Sequence, residues 1–432
     1  MRYIGIIILL VLCLTLLLFT GRIINTVTPE PASGNLENQE DINQSSNNFQ
    51  SSSAGLVYET VIADAEESVT VYPQQWATGD GTVGDPWANN CLNTALTNVP
   101  IGGTIFLRAG YYQLAGKLTF TKQVNIIGED RVNTIIITAD EHGLEVDGNS
   151  YDVDYTTIKN LTIDGDAQAT QGNNCCIKVA RCEYVLLENI EVKNAGNFGI
   201  DTNTMNHSSL LNIYAHDNGE HGVHSGTDIS GNNMHNTYRN IYAWNNTESG
   251  FDDRGDEAHP DLDTYNLYDN LQCWDNGKHG IAIFAQHSGI ISNSSVSNNG
   301  QRGLNLCWLE NFDIHDCHID LTDEEGIFVS YSDNLNFTNV IVKNNNVSDD
   351  NISGITVRES NGIRFTSCQS YDDRETPLQA YGIKLTGANT NISLVNCKLT
   401  PNKEGEIYNP AGGSTYSNYR KMGVSPSVIV RE

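Results

Sequence analysis

One short phrase, in which a polar turn leads into a glycine and then an apolar residue, recurs along this chain of 432 residues. Its closing glycines are Gly199, Gly222, Gly250, Gly280, Gly303 and Gly326, with looser copies at Gly354 and Gly382. Their spacing ranges from 23 residues between Gly199 and Gly222 to 30 residues between Gly250 and Gly280. A unit this short cannot bury its apolar face alone, so each copy must stack on its neighbours. The repeat therefore predicts a solenoid.

A second phrase, an asparagine followed by alternating apolar and polar residues, lies between the glycines. It begins at Asn160, Asn189, Asn212, Asn240, Asn270 and Asn339. A period of two is typical of a β-strand, and Asn and Gly tolerate the positive φ angles of tight turns. The sequence therefore predicts an all-β chain that forms a parallel β-helix of roughly ten coils. The repeated asparagines are expected to stack as a ladder in which each side-chain amide bonds the next.

Two N-terminal stretches resemble a known family. Residues 84–96 (Gly-Asp-Pro-Trp-Ala-Asn-Asn-Cys-Leu-Asn-Thr-Ala-Leu) and 103–112 (Gly-Thr-Ile-Phe-Leu-Arg-Ala-Gly-Tyr-Tyr) are similar to the capping helix and first strand of the pectate-lyase-like β-helix superfamily. Residues 124–128 resemble its first full coil, and the likeness covers about residues 72–400. The resemblance implies a right-handed, single-stranded parallel β-helix with an N-terminal capping helix. It does not fix the reaction, because lyases, hydrolases, epimerases and adhesins share this fold.

The start of the chain predicts where the protein is located. Residues 4–19 are almost entirely apolar, so residues 1–24 are read as a signal peptide or an N-terminal membrane anchor. No small-residue cleavage site precedes Arg22, which favours the transmembrane anchor. Residues 25–70 are expected to form a disordered stalk, 71–400 the β-helix and 401–432 a C-terminal cap or tail. The chain is therefore expected outside the cell or at its surface, with the membrane as a partner through the N-terminal segment.

The charge of the chain narrows its partners. It has 53 acidic against 24 basic residues, a formal net charge of −29. Such a chain is not expected to bind nucleic acid, whose phosphates it would repel. A polyuronate would be repelled as well, unless a metal ion or a local basic patch offsets the charge. Sequons such as Asn206-His-Ser and Asn245-Asn-Thr predict glycosylation of an exported chain.

The cysteines do not predict a disulfide framework. One of the ten, Cys13, lies in the apolar segment, and the remaining nine cannot all pair within one chain. Cys368 and Cys397 fall at matching places in successive coils. Either a disulfide or two stacked buried thiols would fit there, so their pairing stays open.

The strongest candidate site is a column of ionisable residues. When the coils are aligned on the repeat glycine, the next residue points inward and the one after it points outward. Neighbouring strands lie about 4.8 Å apart, so the outward residues form one column: Lys178, Asp201, His224 and Asp252. The next outward position and the turns before the strands add Arg254, His221, Lys278 and His279. Groups this close perturb one another's pKa, as acid–base catalysis requires, although a solvated face with mixed charges is the alternative.

The predicted catalytic residues are therefore Lys178, Asp201, His224, Asp252, Arg254 and His279. A metal site is predicted beside them, because carboxylates are dense between residues 252 and 263 and their hard oxygen atoms suit Ca²⁺. The predicted ligands are Asp252, Asp253 and Asp256. An acidic surface loop is the alternative explanation of this run.

Uronate lyase or C5-epimerase chemistry is the favoured function. It removes the proton next to a uronate carboxylate, which needs a cation on that carboxylate and a base. Calcium or Arg254 would supply the cation, and Lys178 or His224 the base. Gly250-Phe-Asp-Asp resembles the calcium coil of some pectate lyases, and residues 218–224 resemble repeats in alginate epimerases. Ala282 stands where the lyase lysine is expected, and the epimerase Asp-Pro-His-Asp motif is missing, so resemblance does not identify the base.

Two other functions remain open. A glycoside hydrolase would use two carboxylates, and Asp201, Asp252 and Asp253 with Lys278-His279-Gly280 resemble the polygalacturonase set. Asp201, however, lies two coils from Asp252 rather than one. A non-catalytic adhesin, glycan-binding or envelope protein would instead present its sheet face to sugars. The aromatic residues that could stack on sugar rings are Tyr214, Tyr242, Trp244, Trp274 and Trp308.

Overall fold

The computed structural model describes residues 70–71, 79, 82, 85, 87, 90–138, 142–166, 174–226, 232–258, 263–348, 351–410 and 416–417. All of them belong to one of the two units of the chain, residues 57–432. The predicted signal peptide or anchor, all but the last residue of the predicted stalk and the end of the predicted tail lie outside the described residues. Within the described ranges, no helix has the length and apolar character needed to cross a membrane.

The described residues form one helix and two parallel sheets. The helix, Asn90–Asn98, packs Leu92, Ala95 and Leu96 into the core ahead of the first coils, as expected for a capping helix. Sheet 1 has 12 strands: Leu118–Phe120, Leu144–Asp147, Ile177–Ala180, Ile200–Asn203, Val223–Gly226, Phe251–Arg254, Ile281–His287, Leu304–Glu310, Ile327–Ser330, Ile355–Arg358, Tyr381–Thr386 and Gly405–Tyr408.

Sheet 2 takes the other two sides of each coil and has 20 strands. They are Thr70–Val71, Thr104–Leu107, Gly110–Gln113, Asn125–Gly128, Thr134–Ile137, Thr157–Asp164, Leu186–Lys193, Ser209–His216, Thr237–Trp244, Leu267–Trp274, Ile290–Ser292, Ser295–Ser297, Asp313–His315, His318–Asp320, Asn336–Thr338, Ile341–Lys343, Arg364–Thr366, Gln369–Tyr371, Ile392–Val395 and Tyr416–Ser417. Each strand pairs with the strands one coil away. The result is a parallel β-helix of about 11 turns, which confirms the predicted fold class.

The repeat glycines allow neighbouring coils to approach closely. A Cβ atom on Gly222 would lie 2.7 Å from the carbonyl oxygen of Gly250, and one on Gly250 would lie 3.0 Å from that of Gly280. Any side chain at these positions would force the coils apart. Loops of unequal length bulge outward between the strands, so the repeat length varies while the glycines stay in register.

The predicted asparagine ladder is present at the bends of the long strands of sheet 2. The amide of Asn189 donates to Asn160 Oδ1 at 3.0 Å, and that of Asn240 donates to Asn212 Oδ1 at 2.8 Å. The amide of Asn270 donates to Asn240 Oδ1 at 2.7 Å. The ladder residues have φ angles between 52° and 58°, a left-handed conformation that Asn tolerates better than most residues. Local backbone preference and stacking therefore select the same residue.

A second ladder, which the sequence did not predict, lies buried beside the repeat glycines. Its amides donate from Asn218 to Asn246, from Asn246 to Asn276 and from Asn276 to Asn299, at 2.9, 3.0 and 3.0 Å. These side chains are at most 2% exposed. They satisfy backbone groups at the turn that leads into sheet 1, because each Oδ1 also accepts a backbone N–H from the preceding coil.

All nine cysteines of the described residues are buried free thiols. Of the two arrangements left open for Cys368 and Cys397, the structure has stacked thiols. Burial raises the pKa of most of these groups, among them Cys176 and Cys182, to about 12 each. They pack as small apolar side chains and are protected from thiolate chemistry.

Candidate active site

The strand register of sheet 1 assembles the predicted column. Lys178 pairs with Asp201, Asp201 with His224, and His224 with Asp252. The residue before each member in its strand is buried; Ile200, for example, is 0% exposed. The alignment on the repeat glycines therefore agrees with the structure, and the column lies on the outer side of the sheet.

His224 is held between two carboxylates. Its Nδ1 lies 3.0 Å from Asp201 Oδ1, and its Nε2 lies 3.7 Å from Asp252 Oδ2. The ring stacks on Phe198 with 4.5 Å between centroids, and the side chain is 19% exposed. Burial alone would lower the pKa of His224, but the bond to Asp201 and the charge of Asp252 raise it above its ordinary value. A histidine with a fixed orientation and a reachable ring is suited to proton transfer near neutral pH.

Asp252 does not face solvent as the column predicted. Its side chain is 0% exposed, because Arg254 folds back over it from the same strand. Arg254 Nε donates to Asp252 Oδ2 at 2.7 Å, and a terminal nitrogen donates to Oδ1 at 3.3 Å. Arg254 itself is 55% exposed. Asp252 therefore orients Arg254 and His224, while the guanidinium group is what a ligand can reach.

His221 completes the surroundings of Asp252 from the preceding turn. The backbone N–H of Ser249 donates to its Nδ1 at 3.1 Å, so a neutral ring carries its hydrogen on Nε2. That atom lies 3.4 Å from Glu248 and 3.8 Å from Asp252. Burial lowers the pKa of His221 to about 4, which keeps the ring neutral at physiological pH. His221 is therefore a fixed donor towards the carboxylates.

Lys178 and His279, the remaining predicted catalytic residues, lie at the two ends of this group. Lys178 is the register partner of Asp201, and its charge, after burial, helps to lower the pKa of His142 on the preceding coil. His279 bonds in the opposite direction along the helix, to the backbone N–H of Arg302 and to the amide of Asn305. Burial and the charge of Arg302 lower the pKa of His279 to about 4.

Three residues of the site were missed by the sequence analysis: Phe198, Glu220 and Glu248. Phe198 stacks on both histidines, and Glu248 forms an ion pair with Lys278. Burial and the nearby Glu248 raise the pKa of Glu220. A signal for them existed, since Phe198 and His221 directly precede repeat glycines, while Glu220 and Glu248 precede them by two residues. Aligning the turns as well as the strands would have found them.

The three predicted calcium ligands are not brought together. Asp252 and Asp253 are consecutive strand residues, so they face opposite sides of sheet 1. Asp253 is 0% exposed inside the helix, where it accepts hydrogen bonds from Tyr268 at 2.7 Å and Asn233 at 3.2 Å. Asp256 accepts a backbone N–H from Ala258 at 2.9 Å. The described residues contain no group of three His, Cys, Asp or Glu side chains that could hold a metal ion. Asp252, Asp253 and Asp256 therefore do not fit a shared Ca²⁺ ion. Calcium binding stays a prediction, and residues 259–262 of the acidic run lie outside the described residues.

The stacked coils define a class of protein, and the chain belongs to the pectate-lyase-like superfamily of right-handed parallel β-helix proteins. Residues 69–277 match the family described as "Pel9A-like, right handed beta helix region". Residues 224–348 match the family described as "Right handed beta helix region". No protein of curated function matches the chain by sequence.

Several solved structures share the fold at low sequence identity. The A-module of the mannuronan C-5 epimerase AlgE6 of Azotobacter vinelandii is 16% identical with a TM-score of 0.65, over 82% of this chain and 100% of that module. The AlgE4 A-module of the same organism is 17% identical with a TM-score of 0.63, over 80% and 99%. The Dettilon tailspike protein (gp208) is 12% identical with a TM-score of 0.57, over 80% and 70%. Identities this low establish the fold and leave the reaction to the site.

Proposed function

We propose that this protein acts on a uronate-containing polysaccharide and removes the proton next to the uronate carboxylate, as a lyase or a C5-epimerase. One observation carries the proposal: His224 is oriented between Asp201 and Asp252, and Arg254, anchored by Asp252, lies on the same outer face. An orientated proton acceptor beside an anchored cation is the pair of groups that this chemistry requires.

Arg254 is the carboxylate clamp in this proposal. Asp252 uses Nε and one terminal nitrogen of the guanidinium, which leaves the other terminal nitrogen for a ligand. A uronate carboxylate bonded there loses part of its negative charge, which makes the C5 proton more acidic. The local cation also answers the difficulty raised by the net charge of −29, because it attracts an acidic sugar within an acidic protein.

His224 is the proposed base, and Lys178 is the second candidate. Neutral His224 takes the C5 proton on Nε2, while Asp201 holds the hydrogen of Nδ1 and stabilises the imidazolium that forms. In a lyase, the electron pair left on C5 forms the C4–C5 double bond as the C4 oxygen leaves and takes up a proton. In an epimerase, C5 instead receives a proton on its opposite face. The likeness to two mannuronan C-5 epimerase modules supports the proposal at the level of the fold.

The test is turnover on defined polysaccharides. The full chain is incubated with polymannuronate, polygalacturonate, mixed alginate and a neutral glucan, with Ca²⁺ or with chelator. Absorbance of unsaturated products and reducing ends are followed together, and C5 configuration is read by NMR. We expect double-bond absorbance or C5 inversion on a uronate, lost in His224→Gln. The matched control is His315→Gln, since His315 also lies 2.9 Å from an aspartate, Asp316, but on sheet 2. Loss with chelator alone would support the calcium proposal.

An inverting glycoside hydrolase is the second candidate, favoured by the spacing of Asp201 and Asp252. They flank His224 two strands apart, about 10 Å between backbones, and inverting hydrolases separate their carboxyl groups by about 6.5–9.5 Å. The burial of Asp252 under Arg254 weighs against it. Reducing ends without absorbance would establish the hydrolase, and silence in every channel would favour a glycan-binding surface protein. The apolar segment at residues 4–19 supports an extracytoplasmic, membrane-attached location in each case.

A further inference from the structure

Five aromatic rings form a continuous stack on the turns that follow the strands of sheet 1. The stack, named here the ring ladder, consists of Tyr155, Tyr184, His207, His235 and Tyr265. Successive centroids are 4.8, 5.2, 4.9 and 5.2 Å apart, and no pair is tilted by more than 12°. The end members, Tyr155 and Tyr265, are 45% and 50% exposed. The ladder is therefore a surface feature and not part of the core.

Every ring of the ladder is carried by a backbone conformation that disfavours it. The five φ angles lie between 48° and 62°, in the left-handed region where bulky side chains are uncommon. Beyond Tyr265 the same position of the turn is taken by small or amide-bearing residues: Ser288, Asn311, Asn334, Gly362 and Asn391. The chain thus uses suitable residues elsewhere and places strained aromatic rings on five successive coils only. Backbone strain that persists in this way points to function.

The five coils that carry the ring ladder are the coils that carry the charged column. Each ring follows one charged strand of sheet 1, in the order Glu145 and Tyr155, Lys178 and Tyr184, Asp201 and His207, His224 and His235, Asp252 and Tyr265. The next coil has Ala282 in the column and Ser288 in the ladder, so both features end together. A shared extent along the helix axis suggests a shared ligand that runs along that axis.

The ladder leaves one ring face uncovered at this end. The next rung beyond Tyr265 is Ser288, whose side chain has no ring to stack on it. Beside this gap lie Glu310, which is 49% exposed, and Asn311, whose amide bonds His287 at 3.0 Å. An aromatic face next to carboxylate and amide groups suits a pyranose ring, whose C–H face packs on the aromatic ring while its hydroxyls bond the polar groups.

We infer that the open face of Tyr265, with Ser288, Glu310 and Asn311, is a sugar subsite for an extended polysaccharide, and that the ring ladder guides that chain alongside the charged column. The tyrosine hydroxyls and histidine nitrogens along the ladder repeat at the coil spacing of about 4.8 Å, so they offer polar contacts at regular intervals. The inference rests on the proposed class of ligand and not on the proposed reaction.

The test measures binding separately from turnover. Hexasaccharides of mannuronate, galacturonate and cellulose are titrated into the full chain by calorimetry. Tyr265→Asn is expected to weaken the bound hexasaccharide at least tenfold and to leave thermal unfolding unchanged, because Asn311 and Asn334 occupy the same position. Ser288→Tyr adds a rung over the open face and is expected to weaken binding similarly. The matched control is Tyr331→Asn, another exposed tyrosine with a left-handed backbone (φ 51°) outside the ladder, and it should bind as the unmodified chain does.

The result that overturns the inference is equally concrete. Binding by Tyr265→Asn within twofold of the unmodified chain would exclude Tyr265 as a platform, and so would the absence of binding by every probe. Failure of the reaction is distinguishable, because His224→Gln should lose turnover while its affinity for the hexasaccharide at Tyr265 is retained. A chain that binds through Tyr265 but turns nothing over would keep the subsite and reject the proposed chemistry.

Discussion

The imidazole of His224 bonds the carboxylate of Asp201, with 3.0 Å between Nδ1 and Oδ1, although 23 residues separate them along the chain. They meet because both are the second residue of paired strands in successive coils. The contact orients the ring and opposes the effect of burial on its pKa. Replacing the carboxylate therefore leaves the effect of burial in control.

Asp201→Asn is expected to lower the pKa of His224. Burial lowers this pKa, whereas Asp201 and Asp252 raise it, so removing one carboxylate shifts the balance downward. The proton titration of the His224 ring by NMR measures the change directly. If neutral His224 is the base, the acid limb of turnover moves to lower pH in the same variant. An unchanged or higher His224 pKa would contradict this account of the site.

Acidification is expected to destabilise the fold through His221. Burial lowers its pKa from about 6.5 to about 4, so the native state resists a proton that the unfolded state accepts. Stability is therefore full above pH 6.5 and is lost as the pH falls towards 4, by roughly 3 kcal/mol at most. Denaturant unfolding at several pH values should show a shallower acid limb in His221→Gln.

His216 provides the control of opposite sign. Burial would lower its pKa, but its bonds to Glu191 and Asp217 raise it. Its contribution to stability is therefore present below pH 6.5 and lost as the pH rises through the raised pKa. His216→Gln should cost most in acid, whereas His221→Gln should help there. The same sign for both variants would show that burial is misassigned.

Asp253→Asn is expected to stabilise the protein at pH 7. The Tyr268 hydroxyl lies 2.7 Å from Asp253 Oδ2 and 2.6 Å from Gln286 Oε1, and its single hydrogen can serve only one of them. Burial raises the pKa of Asp253, which favours the neutral acid in the folded state. Stability from this group is present below pH 3.8 and declines as the pH rises towards the raised pKa, at about 1.4 kcal/mol per pKa unit. A lower free energy of unfolding for Asp253→Asn, measured in urea, would argue that the group is charged.

Arg254→Ala should destabilise the fold and impair the site together. It leaves the fully buried Asp252 carboxylate without its guanidinium, at a cost of roughly 1–3 kcal/mol. Adding Asp252→Asn should recover much of that stability without restoring turnover. Arg254→Lys keeps the charge but not the two parallel bonds, so KM for a uronate substrate should rise more than the free energy of unfolding falls. Equal stability of Arg254→Ala and the unmodified chain would mean that water replaces the guanidinium.

The fold and the register of the column were accessible from sequence, because both follow from rules that act coil by coil. The repeat glycine sets where each strand of sheet 1 begins, and alternation then assigns Asp201 and His224 to the outer face. Loop length varies between coils without disturbing that register. The same rule separates Asp252 from Asp253, so the alternation that aligned the column also argues against a shared metal ion.

What sequence did not give depends on side chains that reach across coils. The burial of Asp252 requires Arg254 to fold back along its own strand and His221 to approach from the turn before it. The ring ladder was missed although its signal is simple: each ring stands five residues before an asparagine of the second phrase, as Tyr184 does before Asn189. Stacking makes such positions meaningful only once the coils are known to superpose.

The most direct test of the central claim is hydrogen exchange at C5 of the substrate. The full chain is incubated with polymannuronate or polygalacturonate in D₂O, and the C5 proton is followed by NMR in the polymer and in any product. The account predicts loss of the C5 proton in the presence of the unmodified chain, as deuterium uptake or as a C4–C5 double bond, and no loss with His224→Gln. Turnover that shortens the polymer while every C5 proton is retained would contradict it and assign the site to hydrolysis.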